Sequence, residues 1–163
     1  MMLSGRIRGL VFLARAWWAP HANVSRLRFR VMPTDVDLNV HLTNSRYPQL
    51  MDIGRMDMLV RSGTGKIMHQ AGIAPVLVES NIAFKRDLPL GVGFTLETRV
   101  IGRDRKALVV EQRFLVGDAV HAIGTVKMVC VLKGKVVEPS VFASLIEAAE
   151  ADQVQGSARR AAQ

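Results

Sequence analysis

One cysteine is all that this 163-residue chain contains. Cys130 alone can form neither an internal disulfide nor a cysteine-based zinc site, so a stapled secreted scaffold and a zinc ribbon are both excluded, and a reducing cytoplasm fits. It sits in the apolar run Met128-Val129-Cys130-Val131-Leu132, where a small buried side chain is expected rather than a nucleophile. Aromatic residues are scarce too: six phenylalanines, two tryptophans and Tyr47. None falls in an RNA-binding signature, and without stacking platforms no nucleic-acid partner is expected. No apolar run reaches the ~20 residues of a membrane span. The nearest approach, Leu10 to Ala19, is interrupted by Arg15, and its unbroken part, Leu10-Val11-Phe12-Leu13, is too short for a secretory signal. Internal repeats and long flexible linkers are also missing, which leaves one domain as the expectation at this length.

What the chain does have is positive charge, +8 net, spread along its whole length. Such an excess suits an anionic partner, for instance a phosphate-bearing carrier such as coenzyme A, or else a solvated basic surface with no specific partner. An apolar fraction of 49% beside 22% charged residues is that of a folded globular domain. Residues 1–22 read as an amphipathic helix, with Ile7, Leu10, Val11, Ala14, Trp17 and Trp18 on one face and Arg6, Arg8 and Arg15 elsewhere. That helix would pack on the domain or on a partner subunit, or make peripheral contact with a membrane surface. The domain proper is expected over 23–149, and the polar, alanine-rich stretch 150–163 as a disordered tail.

Residues 26–31, Arg-Leu-Arg-Phe-Arg-Val, alternate strictly and predict a half-buried strand with Leu27, Phe29 and Val31 inward. Met32-Pro33 ends it, and the polar stretch Thr34 to Asn44 lacks either period and predicts a loop. From about Ser45 the spacing turns helical. Tyr47, Leu50, Met51, Gly54, Met58 and Leu59 form a stripe that should end near Gly63, with Asn44 a favoured N-cap type. Gly54 within that stripe costs about 1 kcal/mol against alanine, so another element should pass close to it. After a short linker come four strand-like runs, about 75–85, 93–102, 107–116 and 119–132. They are joined by hairpin turns at Gly102 to Lys106 and at Gly117-Asp118, with a bulge suspected near Gly124. A short helix from Pro139 to Ala149 closes the pattern. An α+β domain in this order buries its helical stripe by wrapping the antiparallel sheet around it, the hotdog arrangement. Pairing of such sheets edge to edge predicts a homodimer or homotetramer.

The chemistry is concentrated between the first strand and the helix, in Asp35-Val36-Asp37-Leu38-Asn39-Val40-His41-Leu42-Thr43-Asn44-Ser45-Arg46-Tyr47. Two carboxylates, two amides and an imidazole lead into a helix N-terminus, whose N–H groups favour developing negative charge. Thioester hydrolysis needs a base or nucleophile, a group to orient it, and donors for the oxyanion. Asp37 could activate water or attack directly, Asn39 and Asn44 could orient water or substrate, and His41 could hold a proton. The same residue types also serve as turn formers and caps, so a purely structural loop is the competing reading.

The run Asp-x-Asp-x-Asn-x-His-x-x-Asn-x-x-Tyr, followed by Met51-Asp52-x-Gly54-Arg55, resembles the signature of hotdog thioesterases of the 4-hydroxybenzoyl-CoA thioesterase type, with closest likeness to the THEM6-like branch. The resemblance covers about 24–145 and takes in Val78-Glu79-Ser80-x-Ile82-x-Phe84 and Glu111-Gln112-Arg113-Phe114. It implies Asp37 as the catalytic carboxylate, with Asp35 in support, and Asn44 at the position where many relatives carry histidine or asparagine. The Asp-x-Asn-x-His spacing is also similar to the catalytic segment of plant acyl-ACP thioesterases, which implies working roles for Asn39 and His41. The substrate-binding side would then include Asp35, Tyr47, Glu79 and Ser80. Glu79 stands as a candidate second carboxylate, or a solvated one. Arg103, Arg105 and Lys106 could receive coenzyme A phosphates, or form an ordinary charged turn. The implied substrate is an acyl-CoA or acyl-ACP, with no cofactor and no metal. The rivals are a hotdog hydratase or dehydratase and a noncatalytic acyl-thioester binding or membrane-associated scaffold. The His-Phe-Pro-Gly segment of dehydratases is absent, and the hydratase-like Asp-x-Asn-Pro-x-His spacing is one residue longer than Asp37 to His41.

Overall fold

The alternation at 26–31 is realised in strand β1 (Val24–Arg30), whose inward Leu27 and Phe29 are buried while Arg26, Arg28 and Arg30 face out. The computed structural model describes residues 24–138. The helix expected over 1–22, the helix from Pro139 to Ala149 and the tail 150–163 lie outside the described residues. The remaining elements are a short 3-10 turn (Pro33–Asp35) within the expected loop, α1 (Arg46–Arg61), α2 (Thr64–Gln70), β2 (Ile73–Phe84), β3 (Gly93–Asp104), β4 (Ala107–Val116), β5 (Ala119–Leu132) and β6 (Lys135–Val136). The strands form one antiparallel sheet in the order β1-β3-β4-β5-β2, and β6 folds back onto the end of β5. This is a hotdog fold: the sheet curls around α1, and the core lies between them. Among the described residues no helix is long and apolar enough to cross a membrane.

The helical stripe is buried where the spacing places it, with Tyr47, Leu50, Met51, Gly54 and Met58 all inward. α1 also buries Arg55 and Asp57, which the apolar period did not anticipate. Both are held by polar groups of the sheet. Gln112, on the inner face of β4, donates to Met51 O and to Thr98 Oγ1, each at 2.9 Å, and its Oε1 accepts from Arg55 Nη1 at 2.7 Å. Asp57, 1% exposed, accepts at Oδ2 from Ser25 Oγ (2.5 Å) and from Arg61 Nε (2.7 Å), while its Oδ1 has no partner among the described residues. Buried polar groups cost free energy unless paired, so these bonds also set where α1 can lie on the sheet.

The helix comes close enough that a side chain at position 54 has no room. A Cβ there would meet Thr98 Oγ1 at 2.5 Å and Gln112 Nε2 at 2.9 Å, which is the close approach expected for Gly54. Gly124 has the same explanation. The bulge suspected there is absent, and Gly124 pairs regularly with Ile82 and Gln112. A Cβ on it would meet Met51 Cε at 2.4 Å. The bulge in β5 falls instead at His121, because Phe114 pairs with Ala122 but Leu115 with Val120. Two further corrections concern connections. The linker after α1 contains the short helix α2, and the β3–β4 turn is only Arg105-Lys106, with Gly102 already inside the ladder. Helix α1 starts after Ser45 rather than after an Asn44 cap.

Alanine is normally worth about 1 kcal/mol over glycine within a helix. Gly54→Ala should nevertheless lower stability, by about 1–3 kcal/mol, because overpacking against Thr98 and Gln112 outweighs propensity. Thermal or urea unfolding of the two proteins reads the sign directly; a more stable variant would refute the close packing.

Candidate functional site

The motif segment is a tight reversal clamped at both ends. Val36 bridges to Leu42, and the turn between them is closed by Val40 N–H donating to Asp37 O at 3.0 Å. Val40 takes a positive φ of 62°, costly for a β-branched residue, so the surrounding bonds must hold it there. The holding segment is Asp87 to Leu90. Leu42 N–H donates to Leu88 O (2.8 Å) and Leu90 N–H to Val40 O (3.0 Å), with Leu88 fully buried beneath. At the other end Asp35 is buried, accepts from Met32 N–H at 3.0 Å and pairs with Arg46 Nε at 3.3 Å. Arg46 is the first residue of α1 and also donates to Thr34 O at 2.9 Å. This joint fixes the loop to the helix N-terminus, and it makes Asp35 an anchor rather than a group open to a ligand.

Asp37 and Asn39 are exposed on the turn, and Asn39 N–H donates to Asp37 Oδ1 at 2.9 Å, which orients the carboxylate. Asn44 is exposed beside the start of α1. His41 is half-exposed, with Nε2 3.9 Å from Asp87 Oδ2. The fold therefore brings Asp37, Asn39, His41 and Asn44 to one end of α1. It adds two groups that the sequence reading did not single out: Asp87, and His121, whose Nδ1 lies 2.7 Å from Asp87 O. The bulge at His121 positions it there, and its carbonyl accepts from Lys85 N–H and Arg86 N–H at 2.8 and 3.0 Å. No short-range signal marks Asp87, since only the sheet register returns it to the motif.

Tyr47 and Glu79 are placed differently from the rest. Tyr47 is buried in an aromatic cluster, 4.9 Å from Phe84 and 4.8 Å from Phe114 between ring centroids. Burial first, and the Asp87 charge second, push its phenol up to about 12. Glu79 lies opposite Lys127 on the face of the sheet away from α1, paired with its Nζ at 2.8 Å. The register shift between Leu77 and Glu79 sets that facing and turns the neighbouring Ser80 toward the α1 side. Glu79 is thus not brought to the Asp37 turn. Cys130 is buried, and burial pushes its thiol up, away from thiolate chemistry. Among the described residues no cluster of three His, Cys, Asp or Glu side chains is arranged to hold a metal ion.

Comparison with known proteins adds the following. Residues 31–151 match the family described as the Thioesterase-like superfamily. Protein THEM6 of Xenopus laevis is 39% identical over 95 residues, covering 57% of this chain and 46% of that protein. L-carnitine dehydrogenase/betainyl-CoA thioesterase of Agrobacterium fabrum is 31% identical over 83 residues, covering 51% of this chain and 17% of that protein. The chain thus spans less than half the length of these curated relatives. Among solved structures, the probable thioesterase YbaW from Escherichia coli superposes with a TM-score of 0.66 at 25% identity, over 69% of this chain and 88% of that one.

The Tyr47 environment has a pH signature. The folded state favours the neutral phenol, so its stabilising effect is complete below pH 10 and is lost as pH rises from 10 towards 12, amounting to about 3 kcal/mol. Urea titrations at pH 9 and pH 11.5 should show about 2 kcal/mol of that loss in the native protein and a smaller one in Tyr47→Phe. Identical losses in both would contradict the buried neutral phenol.

Proposed function

The chain belongs to the Thioesterase-like superfamily, and on that premise we propose that it hydrolyses an acyl thioester, acyl-CoA or acyl-ACP, with Asp37 as base or nucleophile. The observation that carries this reading is the turn itself: an exposed aspartate, oriented by Asn39 N–H at 2.9 Å, held at the N-terminal end of α1 by the Asp35–Arg46 pair. In the base route Asp37 takes a proton from water as the water oxygen bonds to the thioester carbonyl carbon. The oxyanion then collapses, the C–S bond breaks, and the thiolate leaves to be protonated. In the nucleophile route Asp37 itself bonds to that carbon, the thiolate leaves, and water hydrolyses the resulting anhydride.

The start of α1 supplies the oxyanion stabilisation. Arg46 N–H is engaged by Thr43 O at 2.9 Å and Pro48 has no amide hydrogen, so Tyr47 N–H is the donor that this first turn leaves for developing charge. The exposed side chains of Asn39 and Asn44 orient water or the substrate carbonyl. His41, with Asp87 at 3.9 Å, passes a proton to the departing thiolate in this reading. The superfamily match and the betainyl-CoA thioesterase relative support a coenzyme A thioester as substrate class.

Asp37→Asn should keep the fold, because the turn bond from Asn39 N–H survives with an amide oxygen. It should lower thiol release from an acyl-CoA panel of short, long and aromatic chains by about two orders of magnitude or more. Equal turnover by both proteins would remove Asp37 from the chemistry. Binding of acyl-CoA without turnover by either would make the domain a binding module.

The protein acts as a homodimer in this reading, joined through β2. That strand is an edge of the sheet, exposed along nearly its whole length, and it presents Val76, Leu77, Val78 and Phe84 to solvent. Folded proteins rarely leave so long an apolar edge unpaired, and a second copy can cover it across a two-fold axis. Val78→Lys should shift the protein from dimer to monomer in sedimentation or light scattering at micromolar concentration. A monomeric native protein would dispose of the interface.

A further inference from the structure

A second feature lies at the opposite end of α1. A cavity of about 380 Å³ opens between the α1–α2 junction and the inner face of the sheet, lined by Met58, Met68, Leu108, Met128 and Cys130 among others. From Tyr47 to Met58 the helix rises roughly 16 Å at ~1.5 Å per residue, so this space is separate from the Asp37 turn of the same chain. Its walls join the end of the main core, through Met58 and Met128, to a smaller cluster around Met68, Ile73 and Cys130. The lining is mostly apolar, with Ser62, Thr64 and Arg103 as its polar members.

Arg103 stands there because of a bulge. Val100 pairs with Val110 but Gly102 with Val109, so Ile101 is an extra residue in β3. An unbroken ladder would set Gly102 against Leu108 and turn Arg103 to the outer face. The extra residue sets Arg103 against Leu108 instead, on the α1 side and at the cavity. Among the neighbouring charges Arg99 pairs with Glu111, Asp104 with Lys127, and Lys106 with Glu138, while Arg105 stands in the turn. Arg103 forms no ion pair or hydrogen bond among the described residues. The Thr64 and Ser62 hydroxyls lie 2.9 Å apart, and Ser62 Oγ is also 3.2 Å from Leu59 O.

We propose that this cavity binds a single-chain aliphatic carboxylate, its chain among Met58, Met68 and Met128 and its carboxylate on Arg103, aided by the Thr64 hydroxyl. Unbranched, polarizable methionines adapt to a flexible aliphatic chain. The volume lies near the lower end of the roughly 300–1,000 Å³ of ligand pockets, room for one chain rather than a two-chain lipid. A guanidinium at the mouth of an apolar space is the recognition element that a carboxylate head needs. This site does not depend on the hydrolytic reading of Asp37.

The test is equilibrium dialysis of labelled decanoate and of decanol, below their aggregation concentrations, against the native protein, Arg103→Gln and Asp37→Asn. Methyl spectra of ¹³C-labelled methionine accompany it. Native protein and Asp37→Asn should each bind one decanoate per chain. Arg103→Gln, an exposed change that leaves the core intact, should weaken decanoate about tenfold and leave decanol unchanged. Decanoate should move the Met58, Met68 and Met128 methyl resonances more than that of Met51 in the main core. No bound decanoate, equal binding by Arg103→Gln, or unmoved cavity methionines would each overturn the assignment. Loss of binding in Asp37→Asn alone would place the ligand at the motif turn and overturn it as well.

Discussion

The distance between α1 and the sheet governs the rest of this molecule, and the side chain of Gln112 sets it. Its amide reaches Met51 O in the helix backbone and Thr98 Oγ1 in β3, and its carbonyl receives Arg55 from the next turn of the helix. Such a group can sit fully buried only if every one of its bonds is made, since each orphaned donor or acceptor costs about 1–3 kcal/mol. Those bonds require α1 to lie close, which is possible because positions 54 and 124 carry no Cβ. Apolar burial drives the sheet to wrap the helix, while the polar contacts select one height and one rotation for it.

That placement decides what each end of α1 can offer. At the N-terminal end the Asp35–Arg46 joint ties the motif turn to the first helical turn, and the segment Asp87 to Leu90 clamps it from outside. The turn can then hold Val40 in a left-handed conformation and present Asp37 to solvent with one carboxylate oxygen already oriented. At the C-terminal end the helix and α2 leave the sheet unfilled, and the resulting space is bordered by the one arginine that a β3 bulge turns inward. The two register shifts at His121 and Ile101 act alike: each inserts one residue and re-aims a side chain toward a possible ligand.

The outer face of the sheet follows a different rule. Arg26 with Glu97, Arg99 with Glu111, and Lys127 with Glu79 pair across neighbouring strands, while Arg113 joins Glu111 along β4 and Asp104 reaches Lys127 past β4. Partly exposed pairs of this kind add little stability each, but opposite charges facing one another across strands favour the correct register over slipped ones.

Much of this was legible in the sequence by itself. Strict alternation determined β1 and its inward face, three-and-four spacing determined the buried stripe of α1, and Gly117-Asp118 determined its hairpin, because each is a local consequence of backbone period or turn geometry. The polar run Asp37, Asn39, His41, Asn44, which lacks either period, was legible as a loop ahead of α1 for the same local reason. Only the tertiary structure decided the rest. Long-range register brought Asp87 and His121 to His41 and sent Glu79 to the far face. Packing against the sheet made Gly124 a point of contact rather than a bulge. Polar partners on β1 and β4 allowed Arg55 and Asp57 to be buried, which no apolar period can signal. Bulges and buried ion pairs depend on what lies across the sheet, and a residue's neighbours in the chain carry no information about its neighbours across strands.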